Sequence, residues 1–396
     1  MAYVNFKEEK SVLKKQLDKR KNNNEKLYID IIKHKENLSQ YVPNLEFSYK
    51  KVINKLIGKK GIFESENFQE IINQDIICTR FIGCNFRNVT FKECRFVGYI
   101  FEECNLNGGG VIFENCTFLK EDSEKIPSLN IKDNLGCSFY NCEIYAKFLS
   151  CDISFTIFEK SKIKTTIFEM SYMNNTIIIY SELNMVEIID CDLSGFKTLE
   201  TYIVDISFND KYKTKFDEKT FFDKIIPRVK DKQEYEGIYM TYETLADKFK
   251  ENTLNNNFGE YYYLAKCTER ECVEPVSKIG SYIYWLLCGY GERPWFCILS
   301  SLAIVIIFAF IYLIIGVEID GNIISYSLNN ISTWKLNLFI RDFNEAINLS
   351  IGMFAGVGVN NAKPTEISYI ISNIEMLGGI VMMGLGIGTL TRKVIR

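Results

Sequence analysis

Large apolar residues recur at five-residue intervals through the middle of the chain. From Phe81 they fall at Phe86, Phe91, Phe96, Phe101 and Leu106. After a two-residue insertion they resume at Phe113 and Phe118, then continue at Phe139 and Ile144. A one-residue slip precedes ten more: Phe148, Ile153, Phe158, Ile163, Phe168, Met173, Ile178, Leu183, Ile188 and Leu193. Two residues before each centre the side chain is mostly small, as at Thr79, Cys84, Cys94, Cys104, Ala146, Ser161 and Thr176, with Val89, Tyr99, Val111 and Val186 as exceptions. A helix repeats every 3.6 residues and a strand every 2, so neither explains a period of five. A coil with five-residue sides does. Its large residues stack along the interior, and its small residues share the little volume left.

Other stretches read differently. Residues 5–40 are rich in Lys, Glu and Asn, with Leu13, Leu17, Leu27, Ile31 and Leu38 spaced along one helix face. That predicts a helical cap on the coil or a short coiled segment, with an oligomerisation helix as the alternative. Residues 218–275 also read as helical, with a turn at 252–257. Residues 295–317 carry no charge, and as a helix they span about 34 Å, enough to cross a bilayer core. A second apolar stretch, 367–390, is interrupted only by Glu375. Between them, 340–354 is apolar and helix-compatible but short, and a glycine-rich turn and Pro364 follow it.

Composition changes little by itself. The 396 residues carry 47 Lys+Arg against 50 Asp+Glu, which argues against a protein that coats nucleic acid. The charged start lacks an apolar run, so no signal peptide is expected. Thirteen Cys is an odd number, without a CxxC pair, and eight of them occupy the small position of the repeat. Cys there reads as a small buried hydrophobe, not as a disulfide framework or metal ligand. The single histidine, His34, lies in a charged segment, so catalysis by a histidine triad and a metal site are not expected, and neither is an enzyme.

The five-residue frame resembles the pentapeptide-repeat family over about residues 76–195. The resemblance implies a right-handed quadrilateral β-helix, here of about five coils with helical caps. Such rods present extended surfaces to partners. One branch of the family imitates DNA with an acidic surface; residues 75–195 hold 17 acidic and 11 basic side chains, a mild excess only. The break at 119–136 reads as a solvated or docking loop.

The C-terminal layout of apolar span, short helix, Gly-Val-Gly turn and second span resembles the two-span potassium-channel superfamily. Its filter typically reads Thr-Val-Gly-Tyr-Gly-Asp, with a Pro three residues later. On that alignment Gly356 takes the Thr place, Val357 and Gly358 match, Val359 replaces Tyr, Asn360 replaces the second Gly, Asn361 replaces Asp, and Pro364 matches. The resemblance implies an all-α, two-span pore domain with a re-entrant pore helix, assembled as a homotetramer and passing a monovalent cation. Missing Thr and Tyr weaken the implied potassium selectivity. Glu375 would brace the filter or face the pore, and Gly378 and Gly384 would allow packing or gating. Cys288–Pro294 also contains Gly-Tyr-Gly, but it precedes the first span and reads as a turn at the membrane surface, where Trp285 and Trp295 suit the interface.

Lys278 and Arg293 before the first span and Arg392, Lys393 and Arg396 after the second compare with three basic and five acidic residues between. The positive-inside rule then places both termini in the cytoplasm of a two-span hairpin in the cell membrane. The expected domains are a charged helical segment at 1–75, the repeat at 76–195, a helical linker at 196–293 and the pore domain at 294–396. The expected function is a subunit of a cation channel with a cytosolic repeat rod that senses or scaffolds, needing no cofactor. The alternative is a membrane-anchored scaffold whose rod binds a protein and whose hairpin only anchors. Nucleic acid is not an expected partner.

Overall fold

The computed structural model describes residues 4–33, 42–61, 68–98, 100–118, 137–326, 336–357 and 361–395. His34, Leu38, Tyr99 and the break at 119–136 lie outside them, as do the side chains of Leu27 and Ile31. The chain divides into two compact units, residues 2–272 and 273–396.

In the first unit, short parallel strands stack into a β-solenoid. Phe81 pairs with Phe101, Phe101 with Phe139, Phe139 with Phe158 and Phe158 with Ile178. Phe81 and Phe101 stand twenty residues apart, which is four sides of five. All the expected centres are buried, none more than 2% exposed. Their rings stack nearly parallel from coil to coil: Phe96 on Phe118 at 4.7 Å, Phe101 on Phe139 at 4.7 Å, and Phe148 between Phe113 and Phe168 at 4.9 and 5.0 Å.

The ladder extends past the stretch read from the sequence. Val52 pairs with Phe81, Ile57 with Phe86, Ile71 with Phe91 and Ile76 with Phe96. At the other end Ile178 pairs with Thr198, Leu183 with Ile203 and Ile188 with Phe208. The frame was hidden at one end by the interruption between Ile57 and Ile71, and at the other by the polar centre Thr198.

Corners carry the conformational cost of the coil. Two residues after most centres the backbone enters the left-handed region, with φ from 46° to 62° at Asn54, Glu93, Asn115, Lys160, Met170, Tyr180 and Glu200, among others. A non-glycine residue pays on the order of 1 kcal/mol there. Asn, which tolerates it best, stands at six corners: Asn54, Asn73, Asn88, Asn115, Asn141 and Asn175.

The small position has a second job. Cys104, Cys116, Cys151 and Cys191 point Sγ at the carbonyls of Phe81, Phe91, Phe113 and Phe168, at 3.2–3.3 Å. Ser171 and Thr176 donate equivalently to Phe148 and Ile153. Most copies of the site therefore hold a small donor, with Val89, Val111, Ala146 and Val186 as apolar exceptions. None of the 13 Cys is in a disulfide, and burial pushes the Cys191 thiol up to about 12.

Helix α1 (Phe6–Lys33) does not cap the first coil. It lies along one side of the solenoid, burying Leu13 and Leu17 against Ile157, Ile177, Ile179, Leu199 and Phe221. The physical reason is that outward positions on this side turn apolar on consecutive coils, leaving a stripe that needs cover.

The far end is closed by α2 (Lys232–Glu251) and α3 (Asn255–Cys272), whose Leu245, Phe249 and Tyr261 join the solenoid core. Helix begins only at Lys232, later than the pattern at 218 implied. Asp231 caps α2, and Glu234 folds back onto the N–H groups of Arg228, Val229 and Lys230.

The second unit holds α4 (Pro275–Cys288), α5 (Pro294–Ile315), α6 (Leu336–Ala355) and α7 (Tyr369–Ile395).

Removing one stacked ring tests the core. Phe148→Ala is expected to lower solenoid stability by about 3–5 kcal/mol in urea unfolding, through lost transfer energy and a cavity. A loss under about 1 kcal/mol would mean that the stack relaxes freely.

Candidate functional site

The three long helices of the second unit meet at Glu375. This α7 carboxyl is fully buried. It accepts a hydrogen bond from the Tyr312 hydroxyl of α5 at 2.6 Å and another from the Ser350 hydroxyl of α6. Ser350 also lies 2.9 Å from the Val305 carbonyl of α5. Thus one carboxyl ties α5, α6 and α7 together. Tyr312 and Ser350 are equally buried, beside Ala309, Ala346 and Leu349. Neither was singled out in the sequence. Pairing Tyr312 with a carboxyl 63 positions away needs tertiary information, although a lone polar residue in an apolar helix is the available signal.

Helix α7 buries its small and polar side. Ser368, just before it, and Ser372, Glu375, Met382 and Thr389 are buried, at spacings of three, four and seven residues. Gly379 continues the seam: a Cβ there would collide with the Phe354 carbonyl of α6. Around Gly378 and Gly384 such an atom meets nothing within 4 Å. The outward side carries Ile370, Ile374, Leu377, Ile380, Val381 and Ile387, all more than half exposed. On α5 Leu299, Leu302, Ile307 and Ile314 are exposed, while Cys297, Val305, Ala309, Tyr312 and Leu313 are buried. Both helices are long and apolar enough to cross a membrane.

Of the filter residues, Gly356 and Val357 are described, whereas Gly358, Val359 and Asn360 lie outside the described residues. Gly356 ends α6. Its φ is +67°, its N–H bonds to the Met353 carbonyl, and the Val357 N–H bonds back to Gly352 at 3.1 Å. That is the Schellman pattern, in which a left-handed glycine closes a helix. Glycine at 356 therefore has a local structural reason. Val357 is 83% exposed, with no buried surroundings in the single chain. The helix before it is 20 residues long, more than the sequence pattern implied.

A hairpin after α5 and a strand between α6 and α7 form a small antiparallel sheet that the sequence pattern did not imply. Val317–Ile319 pairs with Asn322–Ile324 and with Ala362–Pro364, so Pro364 sits in a strand opposite Val317. Asp320 and Gly321 both have positive φ, the requirement of a two-residue hairpin, and Asp-Gly is its sequence signal.

The Gly-Tyr-Gly before α5 is a turn, with Gly289, Tyr290 and Gly291 all left-handed. Glu292 behind it is buried and pairs with Arg392 of α7 at 3.7 Å. Among the described residues, no group of three or more His, Cys, Asp or Glu is placed to hold a metal.

The family model for pentapeptide repeats matches residues 79–108, in eight copies. With the strand ladder above, this defines the first unit as a pentapeptide-repeat β-solenoid. No curated protein matches the chain. Among solved structures, a trypsin-treated variant of QnrB1, a plasmid-mediated fluoroquinolone resistance protein, is 16% identical over 44% of this chain and 79% of its own, with a TM-score of 0.17. Full-length QnrB1 is 15% identical over 43% and 94%, with a TM-score of 0.11. HetL, a pentapeptide-repeat protein involved in heterocyst differentiation regulation from the cyanobacterium Nostoc sp. strain PCC 7120, is 7% identical over 46% and 89%, with a TM-score of 0.12. Likenesses this remote say nothing about function.

The two adjacent glycines give a paired test. Gly379→Ala is expected to destabilise the detergent-purified helical unit by about 1–3 kcal/mol through overpacking against α6. Gly378→Ala is expected to be neutral or slightly stabilising, since it meets nothing and alanine favours helix. Equal melting temperatures for the two would contradict the α6–α7 seam.

Proposed function

We propose that the chain is a non-enzymatic, membrane-anchored scaffold whose pentapeptide-repeat solenoid, a right-handed quadrilateral coil, binds a protein partner. One observation carries the anchor: α5 and α7 leave most of their large apolar side chains exposed, while Ser372, Glu375 and Thr389 of α7 and Ala309 and Tyr312 of α5 are buried. A soluble helix does the reverse, burying its apolar stripe. In lipid the preference inverts, because apolar side chains already suit the solvent while small residues and hydroxyls pack helices together. Glu375 with Tyr312 and Ser350 then clamps the anchor from within. Exposed Val276, Ile279, Ile283 and Leu286 on α4 suit the lipid interface. The charge asymmetry supports cytoplasmic termini and a cytosolic solenoid, with a membrane part at 294–396. The mild acidic excess gives no reason to invoke nucleic acid.

A second reading keeps the channel-like pore, with a homotetramer, a monovalent cation, a filter at Gly356–Asn360 and gating through Gly378 or Gly384. It is favoured by α6, which packs on both long apolar helices and ends in the glycine turn, a device that a plain anchor does not need. It is weakened at Gly356, whose conformation the helix cap already explains. The open space at Gly378 and Gly384 is compatible with packing against another copy.

Charge on the outward side of α5 separates anchor from soluble core. Wild-type protein is expected in the carbonate-resistant membrane fraction. Leu302→Arg with Ile306→Arg should release most of it, since each arginine near the centre of a span costs about 2.5–3.5 kcal/mol on insertion scales. Wild-type protein in the soluble fraction, or a double variant retained as well as wild type, would overturn the anchor.

A further inference from the structure

We propose that the solenoid side covered by α1 is a docking surface for a basic amphipathic helix, and that α1 is its resident, displaceable occupant. The proposal rests on the scaffold reading and names the partner's chemistry.

The surface is built by the repeat. On this side Ile157, Ile177, Ile179 and Leu199 occupy outward positions, where the neighbouring side carries Lys162, Lys164, Glu182 and Asn184. Phe221 completes the stripe, and all five are buried in one cluster with Leu13 and Leu17 of α1. Acidic groups rim it. Lys10 pairs with Asp223 at 2.8 Å, Lys14 with Glu200 at 3.4 Å and Lys21 with Glu159 at 2.5 Å. Arg20 reaches the Asn175 carbonyl and lies over the Phe155 ring. Two pairs run the other way, Glu9 with Lys197 and Glu25 with Arg80. The surface therefore selects a helix that is basic overall, with acids near its ends.

Length matches too. From Glu9 to Glu25 the helix advances about 24 Å, at roughly 1.5 Å per residue. The strands carrying Lys197 and Arg80 are five steps apart in their sheet. At about 4.8 Å per step that is also about 24 Å. A helix thus runs down the coil axis in register with successive coils.

The hold is light. Among the described side chains of α1, only Leu13, Leu17 and Arg20 are buried. The three lysines of the rim are 34–52% exposed. Lys14–Glu200 is exposed at both ends and contributes little, Asp223 and Glu159 are buried beneath their half-exposed lysines, and such pairs weaken in salt. Docking therefore depends on a short apolar contact and on α1 being in the same chain, so a partner helix of the same pattern competes for the stripe.

The test uses full-length protein in detergent and a labelled synthetic peptide of residues 4–33. Hydrogen exchange reads α1 release, and fluorescence anisotropy reads binding. Leu13→Asp with Leu17→Asp should expose α1 amides while the solenoid stays protected. This variant should bind the peptide at least about tenfold tighter than wild type, where α1 competes. Adding Ile177→Asp should abolish that binding. Raising salt from about 0.1 to about 1 M, which cuts the screening length from about 10 to about 3 Å, should weaken it several-fold. If the leucine variant disturbs the solenoid, charge reversal at Lys10, Lys14 and Lys21 provides a second release. A released variant that fails to bind the peptide overturns the docking surface, as does binding indifferent to Ile177→Asp. Either failure leaves the scaffold reading standing, because membrane retention tests that separately.

Discussion

The solenoid depends on one balance: each coil must turn at corners that its residues dislike, and the interior must offset that cost. Left-handed backbone recurs at Asn54, Glu93, Lys160, Met170 and Glu200, where only a few positions use glycine. Against it stand the stacked rings of Phe101, Phe139, Phe148 and Phe168 and the buried donors beside most centres. The donor closes the ledger of backbone polarity, because Cys, Ser and Thr at that position bond carbonyls that face inward. Regular stacking fixes register, and register places outward side chains in files that run along the coil axis. One of those files is apolar, and α1 covers it.

This explains why the core was legible in the sequence and its limits were not. A five-residue period of Phe and Ile is readable because every copy faces the same interior. It fades where a centre is polar, as at Thr198, or where an insertion breaks the count, as between Ile57 and Ile71. The cysteines were readable as small and buried. Their donor role needed the neighbouring coil, which lies about twenty residues away in sequence. The placement of α1 was misread as an end cap because its helix pattern is visible locally, whereas its receptor is assembled from residues 157, 177, 179, 199 and 221.

In the helical unit the sequence showed the two apolar helices and Glu375, but not what Glu375 meets. Tyr312 and Ser350 come from two other helices, and only their packing brings them to one carboxyl. The Gly-Val-Gly motif shows the opposite problem, a local pattern with two structural explanations. Glycine with positive φ serves an ion filter and a helix C-terminus alike. At the end of α6 the N–H groups of Gly356 and Val357, bonded to the carbonyls of Met353 and Gly352, supply the second explanation in full. The Asp-Gly pair at residues 320–321 is a local hairpin signal present in the sequence itself.

Under the proposed account the second unit holds a repeat scaffold to a bilayer, and its clamp at Glu375 serves packing. Recording from planar bilayers containing purified full-length protein tests this most directly. The account predicts a silent membrane across voltages and monovalent cations. Unitary currents whose amplitude changes on replacing Val357 would contradict it and restore the pore.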